Sequence, residues 1–145
     1  MTKRVFRRTI PCLLSGLLLV PAAGLAADYQ VIVHPTNPRS SVTPEQLGRI
    51  FLKKIVKWDT GIAIVPVDQV PTARVRVLFT RIVHRKPDSA IASYWQQQIF
   101  SGRAVPPAEK ADDAAVLAFV QAEPGAIGYI SAGAGAEGVK VLSIR

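Results

Sequence analysis

The sequence predicts an α/β fold in which a single mixed or parallel sheet is flanked by helices. β-rich segments alternate with amphipathic segments along the chain, as they do in sheets layered with helices. Residues 62–67 form an almost continuous apolar run, which is typical of a strand covered on both faces. Because no repeat or linker-like stretch divides residues 27–145, we expect one domain there.

Residues 1–26 have the pattern of a secretory signal peptide. A basic segment without acids precedes an apolar run at 10–20, and small residues follow it. This order predicts export to the periplasm with cleavage after Ala26, or alternatively after Ala27. The apolar run ends at Pro21 and is too short for a bilayer span, so we expect no membrane-spanning segment after cleavage.

The composition of the exported part excludes several kinds of site. Cys12 is the only cysteine and lies within the signal peptide, so the domain has no cysteine for a disulfide, a metal site or a nucleophile. Without the four basic residues of the signal, 14 of the 18 Lys and Arg remain against 10 Asp and Glu, a net charge of +4. This balance mildly favours anions, and the export signal argues against a nucleic acid partner.

The first elements of the domain are predicted as a strand, a helix and a second strand. Residues 29–33 are a β-rich run. Thr43 supplies a helix N-cap, Pro44 occupies the first helical position and Gln46 completes a capping box. The buried face of this helix should contain Leu47, Ile50 and Phe51. The run at 62–67 should then form a central strand.

Two amphipathic helices are predicted next. The first follows Thr72, and the second begins near Asp88 and stops at Gly102. Both show apolar residues at the i, i+3, i+4 spacing of a buried helix face. In the first helix these positions are Val75, Leu78, Phe79, Ile82 and Val83. In the second helix the face consists of Ile91, Tyr94, Trp95, Gln98 and Ile99.

The C-terminal segment is predicted to add a short helix and two strands. Asp112 or Asp113 caps the helix, which ends before a Pro-Gly pair. Residues 126–130 form the next strand, and a glycine-rich turn leads to the last strand at 139–144. We therefore expect strands and helices to alternate to the end of the chain.

Five short motifs follow one another along most of the domain. They are Thr-x-x-Gln-Leu-x-x-Ile-Phe at 43–51, Trp-x-x-Gly at 58–61, an apolar strand at 64–67, Phe-Thr at 79–80 and Pro-Gly-Ala-Ile-Gly-Tyr at 124–129. In this order they resemble the phosphate-type periplasmic substrate-binding proteins of ABC transporters. The resemblance implies a type 2 periplasmic binding-protein architecture, in which two α/β lobes close around a solute. Residues 27–145 suffice for one such lobe, so we expect a short single-lobe form.

The resemblance also implies a function and a place for the ligand. It implies non-covalent binding of phosphate or a similar oxyanion, without cofactor or catalysis, and an ABC transporter permease or a membrane sensor as partner. The family has Ser-Gly-Thr at a helix start where this chain has Ala-Arg-Val at 73–75, so those hydroxyls are lost. The candidate ligand-binding residues are Asp68, Thr72, Arg74 and Arg76. Their helix start would also offer backbone N–H groups that no helical bond uses.

Other interpretations of these residues remain open. A ligand-free interaction module would dock to a receptor, transporter or sensor, and two copies of the chain could supply the two halves of a cleft. Arg74, Arg81 and Arg85 share one side of a helix and would face acidic partners, lipid headgroups or solvent. His34 and His84 lack a companion at metal-ligand spacing, so we expect no metal site. No catalytic constellation is apparent, which argues against an enzyme.

Overall fold

The computed structural model describes residues 28–145, and the predicted signal peptide at 1–26 lies outside them. The strands are β1 (Tyr29–Val33), β2 (Ser41–Val42), β3 (Val65–Gln69), β4 (Ala108–Lys110), β5 (Ala126–Ser131) and β6 (Lys140–Ile144). The helices are α1 (Pro44–Phe51), α2 (Arg74–Phe79), α3 (Asp88–Phe100) and α4 (Asp113–Ala122), and a π-helix at Thr80–His84 continues α2. None of the helices within residues 28–145 is long and apolar enough to cross a bilayer.

The six strands form one mixed sheet in the order β2-β6-β1-β5-β3-β4. Strand β1 is antiparallel to both of its neighbours, β5 and β6, whereas β3 is parallel to β5 and to β4. The predicted α/β class with a mixed sheet flanked by helices is thus confirmed. Because β3, β4 and β5 run in the same direction, their carboxyl ends meet at one edge of the sheet.

The sheet has a separate apolar layer on each face. On one face, Phe51 of α1 and Phe79 of α2 pack on Tyr129 of β5. On the other face, Val116 and Val120 of α4 pack on the sheet. Successive residues of a strand point to opposite faces, so neighbouring positions of β3 and β5 contribute to different layers. The helices therefore cover both sides of the parallel part of the sheet.

Helix α1 begins as the capping box predicts. The Thr43 hydroxyl accepts a hydrogen bond from the backbone N–H of Gln46 at 3.1 Å, and the Gln46 side chain accepts one from the N–H of Thr43 at 3.0 Å. The predicted face of this helix is buried at Leu47, Ile50 and Phe51. Local sequence alone was sufficient here because every partner lies within one helical turn.

Strand β3 and the helix after it differ in detail from the prediction. The strand begins at Val65 instead of Ile62, and it lies next to the edge strand β4, so the central position expected for it is wrong. The centre of the sheet is formed by β1 and β5. The helix predicted after Thr72 is present, but from Thr80 its bonding changes to a π-helix that ends at Arg85 in a left-handed conformation.

Helix α3 is present where the sequence predicts it, but its predicted apolar face is wrong in its last turn. Ile91 and Trp95 are buried, whereas Ile99 is 52% exposed and the adjacent Phe100 is 92% exposed. The i, i+3, i+4 pattern thus continues past the point where the domain covers the helix. The short strands β2 and β4 were also not predicted, because they contain only two and three residues.

Candidate functional site

The edge at which the parallel strands end is where this fold class places ligands. In open α/β sheets, ligands bind outside the carboxyl ends of the strands, next to helix starts. Strands β3 and β5 end here at Gln69 and Ser131, and α2 and α4 begin close by in the chain. Asp113 of α4 connects the ends of β3 and β5. Its carboxylate accepts hydrogen bonds from the Gln69 side chain at 2.7 Å and from the Ser131 N–H at 3.1 Å.

Asp68 and Arg76, two of the four predicted site residues, form a buried ion pair at this edge. The Arg76 Nη1 atom lies 2.6 Å from Asp68 Oδ2, and the two side chains are 13% and 12% exposed. Arg76 also donates hydrogen bonds to the Gln69 carbonyl at 2.8 Å and to the Thr80 hydroxyl at 3.2 Å. The guanidinium group is therefore engaged by protein acceptors from β3 and from the π-helix.

Tyr129 completes the environment of the Asp68 carboxylate. Its hydroxyl donates a hydrogen bond to Asp68 Oδ1, and the backbone N–H of Gln69 donates to the same oxygen at 2.8 Å. The Tyr129 ring stacks on Phe79, with 3.9 Å between centroids and 6° between planes. The cluster thus joins β3, β5 and α2 through one carboxylate.

Burial governs the ionisation of this cluster. It raises the pKa of Asp68 above the value of an exposed carboxyl, although the neighbouring Arg76 charge and the hydrogen bonds to Tyr129 and Gln69 act in the opposite direction. Burial also raises the pKa of Tyr129, and the Asp68 carboxylate adds to the effect. The Tyr129 hydroxyl therefore keeps its proton and acts as a hydrogen-bond donor.

Thr72 and Arg74, the other two predicted residues, lie apart from this pair. Both are exposed, at and just before the start of α2. Arg74 has no carboxylate within 4.0 Å among the described residues. It lines a cavity of about 250 Å³ at the end of β5. The other lining residues are Asp28, Val75, Leu78, Ser131, Ala132 and Gly133.

The Asp68–Arg76 pair lines a second cavity of about 250 Å³, between α2 and α3. Its charged lining consists of Asp68, Asp88 and Glu109 against Arg76, an excess of carboxylates that repels anions. The rest of the lining is formed by Trp95, Ile91, Ala92 and three prolines. Of the two cavities, the one beside Arg74 is therefore better suited to an oxyanion.

Sequence reasoning missed three residues that shape this edge, namely Gln69, Asp113 and Tyr129. Tyr129 belongs to the Pro-Gly-Ala-Ile-Gly-Tyr motif, which was a signal for the family but not for a contact with Asp68. Asp113 was a candidate helix cap, but no sequence signal indicated its contact with Gln69, because the two residues are 44 positions apart. Within residues 28–145, no cluster of three or more His, Cys, Asp or Glu side chains could hold a metal ion.

Comparisons with known proteins agree with this fold. A family model described as a PBP superfamily domain matches residues 25–143. No curated protein matched the chain. Among solved structures, one described as a phosphate ABC transporter substrate-binding protein with bound phosphate, from Clostridium perfringens, is similar at 23% identity with a TM-score of 0.62. An ABC-type phosphate transport receptor from Vibrio cholerae is similar at 20% identity with a TM-score of 0.64.

Each of these two alignments covers 81% of this chain but only 46% of the other protein. The chain thus spans less than half the length of the proteins it resembles. At these identities, the likeness shows a shared fold. The order of motifs along the sequence and the arrangement of the sheet therefore identify the same kind of domain.

Proposed function

Because the chain belongs to the PBP superfamily, we propose that it is an exported, non-enzymatic domain that binds phosphate or a similar small oxyanion without covalent chemistry. One observation carries this proposal. Arg74 is a guanidinium group without a carboxylate partner among the described residues, and it lines a cavity at the carboxyl edge of the sheet. That edge is the ligand-binding edge of open α/β sheets.

The polar groups around Arg74 support an oxyanion ligand. Ser131 and Gly133 line the same cavity, and Thr72 lies two residues before Arg74. A guanidinium group can donate two parallel hydrogen bonds to an oxyanion, which a hydroxyl or backbone N–H can supplement. Asp28 also lines the cavity and would favour an anion that still carries a proton.

Within the proposal, Asp68 and Arg76 have a supporting role. Their ion pair holds the start of α2 against β3, and this fixes the position of Arg74 at the cavity. Thr72 and Arg74 then provide direct contacts. We propose a periplasmic location. We also propose that the partner, an ABC transporter permease or a membrane sensor, recognises the domain when the oxyanion is bound.

Isothermal titration of the purified protein with phosphate and with sulfate tests the proposal. We expect binding heat for at least one oxyanion, and a loss of affinity of at least about tenfold in Arg74→Ala, because a charge-assisted hydrogen bond is removed. Arg103→Ala removes an exposed arginine outside the cavity and should bind as the wild type does. The absence of heat at millimolar ligand, or equal losses in both variants, would contradict the proposal.

A second candidate function is a ligand-free interaction module. It is favoured by the exposed apolar side chains around the end of α3, where Ile99, Phe100 and Val105 are 52%, 92% and 62% exposed. Exposed apolar groups of this kind often mark contact surfaces. This function predicts no oxyanion heat, together with a protein partner recovered by cross-linking in the periplasm.

A further inference from the structure

A cleft with a basic lining lies at the opposite end of the helical segment that starts with Arg74. It has a volume of about 450 Å³. The lining residues are Val77, Arg81, Arg85, Lys86, Pro87 and Asp88. The cationic side chains outnumber the single carboxylate, so the cleft has a positive potential that attracts anionic groups.

The cations of this cleft are free of protein partners in the part of the chain that the structure describes. Arg81, Arg85 and Lys86 are exposed, and none has a carboxylate within 4.0 Å. The ion pairs found in residues 28–145 use Arg39 and Arg76 instead. Three neighbouring like charges repel one another, and a bound anionic group would relieve that repulsion.

The backbone at this cleft has an uncommon geometry. The last helical turn, Thr80–His84, is a π-helix, a rare form that occurs mostly as single turns in α-helices and frequently at functional sites. Arg85 follows it at φ 51°, in the left-handed region where glycine would be favoured over a residue with a side chain. A residue other than glycine in this backbone conformation is a candidate for a functional role.

We propose that this cleft docks an acidic segment of a partner protein, whose Asp and Glu carboxylates pair with Arg81, Arg85 and Lys86. Guanidinium groups match carboxylates in a bidentate geometry. The cleft, at about 450 Å³, is larger than the cavity of about 250 Å³ that we assign to a single oxyanion, and Val77 and Pro87 can contact the methylene groups of acidic side chains. Its concave shape fits a chain segment better than the flat surface of a bilayer.

Binding of a fluorescein-labelled hexaglutamate peptide to the purified protein, measured by fluorescence anisotropy at low salt, tests this docking site. We expect the double variant Arg81→Glu/Arg85→Glu to bind at least about tenfold more weakly, because two attractive charges become repulsive. The double variant Arg49→Glu/Arg103→Glu makes the same change in net charge at exposed positions outside the cleft. It should lose much less affinity, and equal losses in the two double variants would overturn the proposal.

Arg85→Gly separates loss of docking from loss of folding. Glycine adopts the left-handed conformation without strain, so this variant should melt at or above the wild-type midpoint and still bind the peptide more weakly. Wild-type affinity in Arg85→Gly would overturn the proposal. A second result would also overturn it: the protein binds phosphatidylglycerol vesicles through Arg81 and Arg85 but does not bind hexaglutamate.

The docking site and the oxyanion site can fail independently. Arg74 does not line the cleft, so Arg74→Ala should keep its affinity for hexaglutamate even where it loses phosphate. Inorganic phosphate at millimolar concentration should leave most of the peptide bound. Full displacement of the peptide by phosphate would show that the cleft takes a single oxyanion, and this would overturn the acidic segment as its occupant.

Discussion

The ion pair between Asp68 and Arg76 determines which of the predicted ligand contacts remain available. The family resemblance implied that Arg74 and Arg76 would both bring guanidinium donors to a ligand at the start of the helix. In the structure, Arg76 instead turns toward Asp68 and the Gln69 carbonyl of β3. A guanidinium group that is already matched by a carboxylate offers little net charge to an incoming anion, so Arg74 is left as the main cation of the proposed site.

Asp68→Asn tests the structural role of this pair. We expect the free energy of unfolding to fall by about 2–4 kcal/mol, because the buried Arg76 would keep only the more distant and more exposed Glu109, at 3.8 Å, as a carboxylate partner. Urea denaturation measures the change. Asp59→Asn is a matched control, because the Arg39–Asp59 pair is more exposed and should contribute less than about 1 kcal/mol. Equal effects of the two substitutions would contradict this role.

His84 predicts a pH dependence of stability. Burial, together with the positive charges of Arg76 and Lys86, lowers its pKa from 6.5 to about 4, and its Nδ1 atom has no hydrogen-bond partner among the described residues. Between these two pKa values, the unfolded chain binds a proton that the folded chain does not. The free energy of unfolding should therefore fall as the pH is lowered from 6.5 to about 4, by up to about 3 kcal/mol.

The measurement is urea denaturation at several pH values for the wild type and for His84→Gln. Carboxylates also titrate in this range, so the informative quantity is the difference between the two proteins. The loss on acidification should be smaller in His84→Gln. His34→Gln, which replaces the other histidine of the sequence, serves as the matched control. Parallel pH profiles for wild type and His84→Gln would rule out this source of acid sensitivity.

At the scale of elements, the close packing of α4 on the sheet depends on Gly128 of β5. A Cβ atom at this position would lie 2.7 Å from Val116 Cγ1 and 2.8 Å from Val67 Cγ1. Both valines are completely buried, so neither has free space into which it can move. The glycine therefore permits the distance between helix and sheet at which this apolar layer packs.

Gly128→Ala should lower the free energy of unfolding by about 1–3 kcal/mol, because the added methyl group overpacks the layer beneath α4. Thermal melting, monitored by circular dichroism, measures this loss of stability. Gly133→Ala is the matched control, since nothing lies within 4 Å of a Cβ at that position. A melting midpoint for Gly128→Ala equal to that of the control would mean that α4 can shift away from the sheet.

At the scale of the whole molecule, the proposed oxyanion site lies at an edge of the sheet that is open to solvent, because Thr72 and Arg74 are both exposed. Water reaches an anion more easily at an open edge than in an enclosed cleft, and it competes for the same hydrogen bonds. We therefore expect the affinity for a free oxyanion to be modest.

Thermal melting across a range of ligand concentrations tests binding at this scale. A ligand that binds only the folded state stabilises it by RT ln(1 + [L]/Kd), about 2.7 kcal/mol when the ligand is at 100 times its Kd. The melting midpoint should rise with phosphate in the wild type and in Arg103→Ala, and stay constant in Arg74→Ala. A midpoint that does not change with any oxyanion in the wild type would favour the interaction module.

Much of the fold could be predicted because its signals are local. The Thr43 capping box, the strand at 29–33 and the Asp112 cap of α4 depend on residues within one helical turn or one short strand. The order of five short motifs, from 43–51 to 124–129, indicated the family. Residue order along the chain fixes such features, so they can be predicted without knowing which elements meet.

The tertiary structure alone decided strand order, the coverage of α3 and the partner of Arg76. The position of strand β3 in the sheet is determined by its pairing with β4 and β5, which are distant from it in sequence. The contact of Asp68 with Tyr129 joins residues 61 positions apart. Contacts between residues so far apart in sequence depend on which faces of the elements the assembled sheet brings together. A local sequence pattern does not determine this arrangement. The physical reason is that burial and charge pairing are properties of an assembled environment, whereas helix capping and periodicity are properties of the chain itself.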